Sequence, residues 1–517
     1  MLELYRLLDA VPKGLLREGK KGIEKESLRV TGDGRIARSP HPCVLGSALT
    51  HPHITTDYSE ALLEFVTPPF PEVRESLDFL CQIHQFVYKN LDDELLWMTS
   101  MPCALAGENS IPIATYGRSN VGMMKHVYRR GLMYRYGGAM QAIAGVHFNY
   151  SLPSDLWPVL KDFVNDSSPL QEFISNYYFH LIRNFQRLGW LIPYLFGTSP
   201  AVCKSFLPNR PTGLAEFDAH TLFLPYATSL RMSDIGYKNT TQASLNISYN
   251  DLDEYVTSLT HAIETPFPEY EKIEVVVNGE YRQLNANILQ IENEYYSFMR
   301  PKQIARSGEK PTLALKRRGV QYVELRALDV SAYDSVGVNE NQLRFLEAFL
   351  VLCVVYDSPP MSAEDTRRID YNQRMVVSYG RDPSLRLQRQ GRTTSLRDWA
   401  REIYDHMQGV CELLDGGTSE RLYSAALETQ LPAINDPECT PSARLLTDMR
   451  ANKEPFSEFA MRMSKRHEQY FKQLVLPEAR AKQFKQVAEE SLQRQREIEA
   501  ADEVSFEEYL KRYFAQS

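Results

Sequence analysis

Apolar and polar residues alternate over short stretches at residues 22–30, 61–67, 145–152, 273–277 and 320–328, most of them closed by a turn former such as Pro68, Pro153 or the Asn278-Gly279 pair. A two-residue period of that length predicts strands. Residues 339–356 follow the other rhythm: Leu343, Leu346, Leu350 and Val354 fall on one stripe, and the segment turns apolar almost all round, as a buried helix does. Residues 477–500, rich in Glu, Gln, Arg and Ala, predict an exposed helix. Beyond it, Ser505 and Glu508 have capping-box spacing ahead of Tyr509, Leu510, Tyr513 and Phe514. Strands separated by long helical insertions, without regular strand–helix alternation, predict an α+β fold with an antiparallel sheet. The stretch 367–398 is crowded with arginine and polar residues, reads as an exposed loop or edge element, and receives no role. No repeat or linker cuts the chain, so residues 1–517 are expected to form a single catalytic unit, with the sheet and site over about 20–330 and a mainly helical part over about 338–517.

Composition narrows the class only slightly. With 517 residues, 43% hydrophobic and 24% charged, the chain is long enough for a large interior and resembles neither a disordered nor a membrane protein. Its net charge of −8 provides no positive field for a nucleic acid backbone. Seven cysteines, none at C-x-x-C spacing, suggest neither a zinc site nor a disulfide framework, and reduced thiols are expected. The longest apolar run, at 348–356, is far short of the roughly 20 residues that span a bilayer, and no signal-peptide pattern opens the sequence. A cytoplasmic enzyme is expected.

The candidate chemistry lies on the strands. Glu24 and Glu26 share one face of the first, about 7 Å apart by two residues of strand rise. Glu64 interrupts a run of apolar strand formers, and an unpaired buried carboxylate there would cost several kcal/mol. His147 and Asn149 share a face of another strand, and Tyr322, Glu324 and Arg326 share a face of the last. Each alone reads equally well as a solvated face, a cross-strand salt bridge or a satisfied structural histidine. Together they describe a sheet with one apolar face and one lining a polar cavity. So many carboxylates exclude a bare triphosphate and call for a hard divalent cation such as Mg²⁺. No Walker loop and no dinucleotide-binding glycine pattern occurs at a usable strand–helix junction.

The segments GIEKESLRV, LGSALTHPHITTDYSEALLEFVTP, MQAIAGVHFNYSLP, LPYATSLRMSDIGY, QIENEYYSFMRPK and VQYVELRALDV resemble, in order and spacing, the bacterial glutamate–cysteine ligases of the type found in enteric bacteria. The likeness runs from about residue 20 to about 360 and continues more weakly to the C-terminus. It implies a glutamine-synthetase-like fold, in which a curved antiparallel sheet forms a funnel-shaped active site with helices packed outside. It also implies ATP-dependent ligation of L-glutamate to L-cysteine, the first step of glutathione synthesis, through a γ-glutamyl phosphate. Two or three Mg²⁺ ions, with Mn²⁺ as a substitute, would be held by Glu24, Glu26, Asp57, Glu64 and Glu324. Arg326 would meet the transferred phosphoryl group, with His147 and Asn149 beside the glutamate or metal site. Tyr128, Arg129, Leu132, Gln141, Arg231, Tyr237, Tyr296 and Arg300 resemble substrate-pocket positions, and residues 237–244 a closing loop. A monomer with glutathione as feedback ligand is the corresponding expectation. The competing readings are a ligase that takes ammonia or another amino acid, and a silent metal- or amino-acid-binding relative.

Overall fold

The computed structural model describes residues 11–12, 14–107, 110–207, 212–236, 245–416 and 418–516. In chain order its strands begin with β1 (Lys20–Val30), β2 (Ile54–Thr56), β3 (Leu62–Val66), β4 (Leu95–Leu96) and β5 (Gly145–Ser151). They continue with β6 (Ala201–Cys203), β7 (Ala215–Glu216), β8 (Thr221–Phe223), β9 (Val276–Val277) and β10 (Glu280–Tyr281). The last are β11 (Met299–Lys302), β12 (Tyr322–Asp329), β13 (Arg386–Arg389) and β14 (Arg392–Ser395). The main sheet has seven strands in the order β11-β12-β5-β1-β3-β2, with β4 also on β1, and every pairing in it is antiparallel. The fold is mixed α and β, with an open antiparallel sheet. Four of the five predicted strands are β1, β3, β5 and β12, and they lie side by side at its centre.

The fifth prediction, 273–277, holds only at its end. Val276 and Val277 pair with Tyr281 and Glu280 in a two-stranded hairpin apart from the main sheet. Asn278 and Gly279 both have positive φ, 53° and 82°, which is the backbone a two-residue primed turn requires. Ile273 lies in the turn after a short helix (Pro268–Glu271). The apolar alternation there meets no neighbouring sheet, and Val276 stays 45% exposed.

The helices that frame the sheet are α1 (Val73–Tyr88), α2 (Asn120–Tyr136), α3 (Gly138–Gln141), α4 (Leu170–Leu188), α5 (Glu340–Val355), α6 (Ala363–Tyr379), α7 (Leu396–Asp415), α8 (Phe456–Gln473), α9 (Glu478–Ala500) and α10 (Phe506–Phe514). Helix α5 is the predicted buried helix. The Asn339 side chain accepts the Gln342 N–H at its start, and every residue from Gln342 to Val355 is buried, against α1, α4 and α7 among others. Helix α9 is mostly exposed as expected, but a stripe of Phe484, Ala488 and Ser491 is buried. The Ser491 hydroxyl accepts the Ser47 N–H at 2.9 Å, and its carbonyl accepts the Thr50 hydroxyl at 2.5 Å. Further along, Glu499 and Asp502 accept the Arg118 and Asn120 N–H groups at the start of α2. Only half of the capping box at Ser505 forms: its hydroxyl accepts the Glu508 N–H at 3.2 Å, while the Glu508 carboxylate pairs with Arg512 at 2.7 Å.

Two expectations are corrected. Residues 367–398 are neither loop nor simple edge: they comprise most of α6, the hairpin β13–β14 and the start of α7. Helix α6 begins with a complete capping box between Ser362 and Asp365 and buries Ile369, Gln373, Val376 and Val377 at helical spacing. The many arginines mask that stripe in the sequence, because their charge is met locally; Arg389, for example, pairs with Glu402 at 2.5 Å. The cysteines are not all free either. Cys103, after β4, is bonded to Cys203 at the end of β6, 100 residues away, and the other five are reduced. The pair is brought together by tertiary packing, which no short spacing could announce. Among the described residues no helix is long and apolar enough to cross a membrane.

The back of β1 is unusual. Lys21, Lys25 and Arg29 point away from the glutamates and are fully buried. Lys21 is paired with Glu347 of α5 at 2.6 Å, and Arg29 with Glu94 at 2.6 Å. Among the described residues Lys25 meets no carboxylate; its ammonium lies 3.0 Å from His84 Nε2, and burial pushes it down to about 7. From about pH 7 to the ordinary lysine value of about 10.4 the unfolded chain binds more protons at this position than the folded one, so stability rises with pH across that window. Lys25→Met should therefore raise the melting temperature near neutrality by a few degrees and flatten the rise toward alkaline pH, as followed by thermal unfolding across a pH series. Unchanged melting curves would mean the amine is not desolvated. For the disulfide, a loop of 100 residues is closed, and breaking it by reductant or by Cys103→Ser should cost about 2–4 kcal/mol of stability in chemical denaturation. No loss would show that the bond does not form in solution.

Candidate functional site

The registers of β1, β3, β5 and β12 bring the predicted polar residues to one face. Glu26 stands opposite Glu64, Glu24 opposite His147, and Asn149 between Gly22 and Glu324. Asp57 lies in the bend after β2; its carbonyl accepts hydrogen bonds from the Tyr116 hydroxyl and from Arg129 Nε. His147 Nδ1 is 3.2 Å from Glu24 and 3.6 Å from Glu324, and its Nε2 is 3.8 Å from Glu26. Asn149 donates to Glu24 at 2.8 Å. Arg326 donates to Glu324 at 2.9 Å, and it sits where the β12–β5 register shifts between Leu325 and Leu328, an irregularity of the kind that re-aims side chains. Ligand atoms of Glu24, Glu64 and His147 lie within 4.8 Å of one another, a spacing that can hold a cation.

The electrostatics sort these carboxylates into two kinds. Burial and the Glu324 charge act upward on Glu24, but the His147 hydrogen bond with the His147 and Lys302 charges leaves it below its ordinary value. Burial likewise acts against ionised Glu324, yet Lys302, Arg326, His147 and Arg300 hold it well below the carboxylate range. Glu26 is pushed up to about 8 by burial and by Asp57, against the pull of Arg231, Arg326 and the Gly145 N–H. Glu64 is raised well above its ordinary value by burial and then by Glu24, Asp57 and Glu26. The opposed shifts thus favour the ionised form of Glu24 and Glu324 and the protonated form of Glu26 and Glu64. His147 is held below its usual value by burial and by Arg326, which outweigh Glu24 and Glu324.

The expected substrate positions divide. Helix α2 carries Tyr128, Arg129 and Leu132 on consecutive turns; Tyr128 is half-buried and Leu132 lies in the core. Arg129 stacks over Tyr116, 4.7 Å from its centroid. Tyr296 donates to Gln141 of α3 at 3.1 Å. Arg300, on β11 opposite Glu324, donates to the Asn293 and Tyr295 carbonyls, so much of its guanidinium is already engaged by backbone. Arg231 is 1% exposed; it donates to the Arg326 carbonyl at 3.1 Å and lies 3.8 Å from Asp329. A Cβ at Gly145 would fall 2.0 Å from its guanidinium, so the first residue of β5 must be glycine for Arg231 to reach this end of the sheet. Tyr237 and the whole expected closing loop, 237–244, fall outside the described residues.

Two lysines that the sequence reading passed over face the same cluster. Lys302 of β11 lies 3.4 Å from Glu324 Oε2. Lys125 of α2 is 5.3 Å from the Tyr116 centroid and is pushed down to about 8 by burial and by Arg129, with Glu64 acting the other way. Alternation from Arg300 across Pro301 was the available signal for Lys302. Beside Tyr296 opens a cavity of about 1020 Å³, walled also by Asp234 and by Arg367, Arg374 and Arg392 of the arginine-rich stretch; Glu24, Glu26, Asp57, Glu64 and Glu324 are not among its lining residues.

Residues 4–376 match the family model described as glutamate-cysteine ligase. The chain is 49% identical over 516 residues to a glutamate–cysteine ligase of Alcanivorax borkumensis, covering 99% of this chain and 98% of that protein. It is 49% identical over 501 residues to one of Pseudomonas paraeruginosa, covering 97% and 95%. The crystal structure of the Francisella tularensis glutamate–cysteine ligase in complex with AMP superimposes with a TM-score of 0.91 at 38% identity, covering 96% of this chain and 97% of that one. A bifunctional glutathione synthetase from Pasteurella multocida shares the fold, with a TM-score of 0.72 at 23% identity over 94% of this chain and 57% of the other.

Proposed function

Because the chain belongs to the glutamate–cysteine ligase family, we propose that it joins the γ-carboxylate of L-glutamate to the amine of L-cysteine using ATP, giving γ-glutamylcysteine, ADP and phosphate. The observation that carries the reading onto particular residues is the cluster of Glu24, Glu26, Asp57, Glu64, His147 and Glu324 beside Arg326, on one face of a sheet that we take to be a glutamine-synthetase-like funnel.

The residues present suit Mg²⁺. Glu324 Oε2, His147 Nε2 and Asn149 Oδ1 are buried with no hydrogen-bond partner, so oxygen and nitrogen lone pairs are available beside Glu24 and Glu64. Glu24, Glu26, Asp57, Glu64 and Glu324 would hold the ions, with His147 as a nitrogen donor. Bound there, Mg²⁺ supplies the positive charge that lets these carboxylates share a cavity with a triphosphate, and it polarises the phosphate oxygens.

The chain's own groups then orient two displacements. Arg326, fixed by Glu324, meets the terminal phosphoryl group as the glutamate γ-carboxylate oxygen attacks its phosphorus and ADP leaves. The amine of cysteine attacks the resulting acyl carbon, phosphate departs, and the ammonium proton is lost. No protein nucleophile takes part. His147 and Asn149 hold Glu24 in place, and Tyr128, Leu132, Gln141 and Tyr296, the last two hydrogen-bonded to each other, would wall the small thiol side chain. Arg129, Arg231 and Arg300 provide charge for substrate carboxylates, although in Arg231 and Arg300 part of the guanidinium is already committed to backbone.

ADP release measured with each amino acid alone and in pairs should be fast only with glutamate plus cysteine or a similar small apolar amino acid such as 2-aminobutyrate. Rapid turnover with glutamate and ammonia, but not with cysteine, would reassign the acceptor. Glu24→Gln and Glu324→Gln should each reduce turnover by orders of magnitude, about 3 kcal/mol or more, and raise the Mg²⁺ requirement. The control is Glu490→Gln on the exposed face of α9, where Gln486 donates to the carboxylate at 2.7 Å, and which should change little. Near-normal turnover and Mg²⁺ dependence in folded Glu24→Gln and Glu324→Gln proteins would remove these residues from the metal site.

A further inference from the structure

We propose that Lys302 is a second phosphate-contacting residue, which grips the terminal phosphoryl group of the nucleotide from the side of Glu324 opposite Arg326. The inference rests on the ATP-dependent ligation proposed above and names a residue of that site that neither the strand reading nor the resemblance assigned.

Two other buried lysines have their ammonium groups held by several fixed acceptors, whereas fully buried Lys25 has a contact to His84 Nε2 at 3.0 Å. Lys21 donates to the Arg17 and Pro71 carbonyls and pairs with Glu347 at 2.6 Å. Lys310 donates to the Phe514 and Gln516 carbonyls at 2.8 and 3.0 Å. Lys21 and Lys310 thus each have two or more donors used by fixed acceptors. Lys302 does not follow that pattern. Among the described residues its polar contact is a single one, 3.4 Å to Glu324 Oε2, longer than a good charge-assisted hydrogen bond, and its side chain keeps 30% exposure. Among the described residues its three donors are therefore not saturated by fixed acceptors.

The placement is directional. Glu324 is 1% exposed, with Arg326 on Oε1 at 2.9 Å and Lys302 on Oε2 at 3.4 Å, so one carboxylate is flanked by two cations from neighbouring strands. The strand register places Lys302 opposite Tyr322, one pleat beyond Glu324 on the side away from Arg326, whereas Arg326 lies toward Gly145 and Arg231. Arg231 reaches the Arg326 carbonyl at that second end, and the Arg326 charge also acts on Tyr296. The amino acids therefore suit the Arg231 end and the nucleotide suits the Lys302 end, with the phosphoryl group between the two cations. A simple cross-strand salt bridge would explain a Lys302–Glu324 contact. It would not explain the long separation of a partly exposed side chain that could have closed on its partner.

The test is nucleotide binding by titration calorimetry with no turnover, using Mg²⁺ with a non-hydrolysable ATP analogue and, separately, with ADP. Binding of the analogue to the wild-type protein tests the ligase reading; the ratio of variant to wild type tests this one. Lys302→Met should weaken the analogue by about tenfold or more, the scale of one charge-assisted hydrogen bond, while ADP weakens less than about threefold. In steady state the KM for ATP should rise more than the KM for glutamate, and Lys302→Arg should recover most of the analogue's affinity. Equal losses for the analogue and ADP, a loss that falls on glutamate, or no loss would each overturn the proposal. Should Lys302→Met fail to fold, Lys302→Gln carries the same comparison, with melting temperature confirming that the fold is kept.

Discussion

The structure is organised around the repulsion among carboxylates that must stand on one face of one sheet. Glu24, Glu26, Glu64 and Glu324 are too close and too buried to ionise together, and their opposed shifts express it: two are held down by Arg326, Lys302 and His147, and two are driven up. The cations and the histidine are therefore conditions for folding the site as well as for using it. Helix α2 and strand β11 have to be in place before the sheet face is tolerable, because they bring Lys125 and Lys302.

The same strand carries the opposite problem on its other side. Lys21, Lys25 and Arg29 are buried behind the glutamates, so β1 separates a layer of carboxylates from a layer of cations by the thickness of one backbone. Lys21 and Arg29 are met by Glu347 and Glu94, while Lys25 relies on His84. Such a strand draws its apolar burial from Ile23, Leu28 and Val30 and depends on its neighbours β3 and β5 for register, which sets the spacing of the carboxylates.

Much of the site was legible because strand alternation is local. Glu24 with Glu26, His147 with Asn149, and Glu324 with Arg326 each share a face by counting residues, and the registers then fulfil that reading. What depended on distant packing was not legible. Strand β11 is too short and is interrupted by Pro301, so Lys302 was overlooked; the Cys103–Cys203 bond joins segments 100 residues apart. In the arginine-rich stretch the helical stripe of Ile369, Val376 and Val377 was hidden by charges that are neutralised locally. The valine alternation before Asn278 was sound locally, but found no sheet to join.

The clasp between α9 and the start of α2 has a consequence for how the protein is made. The backbone N–H groups of Arg118 and Asn120 are satisfied by Glu499 and Asp502, more than 380 residues later, and Ser47 by Ser491. Helix α2 holds Tyr128, Arg129 and Lys125 against the carboxylates. On the ribosome, the nascent chain thus exposes the glutamates of β1 and β3 long before the segment that steadies their covering helix has emerged. Messages cut short within α9 would yield chains with a nearly complete sheet and a loose lid over it, targets for proteolysis rather than weakly active enzymes.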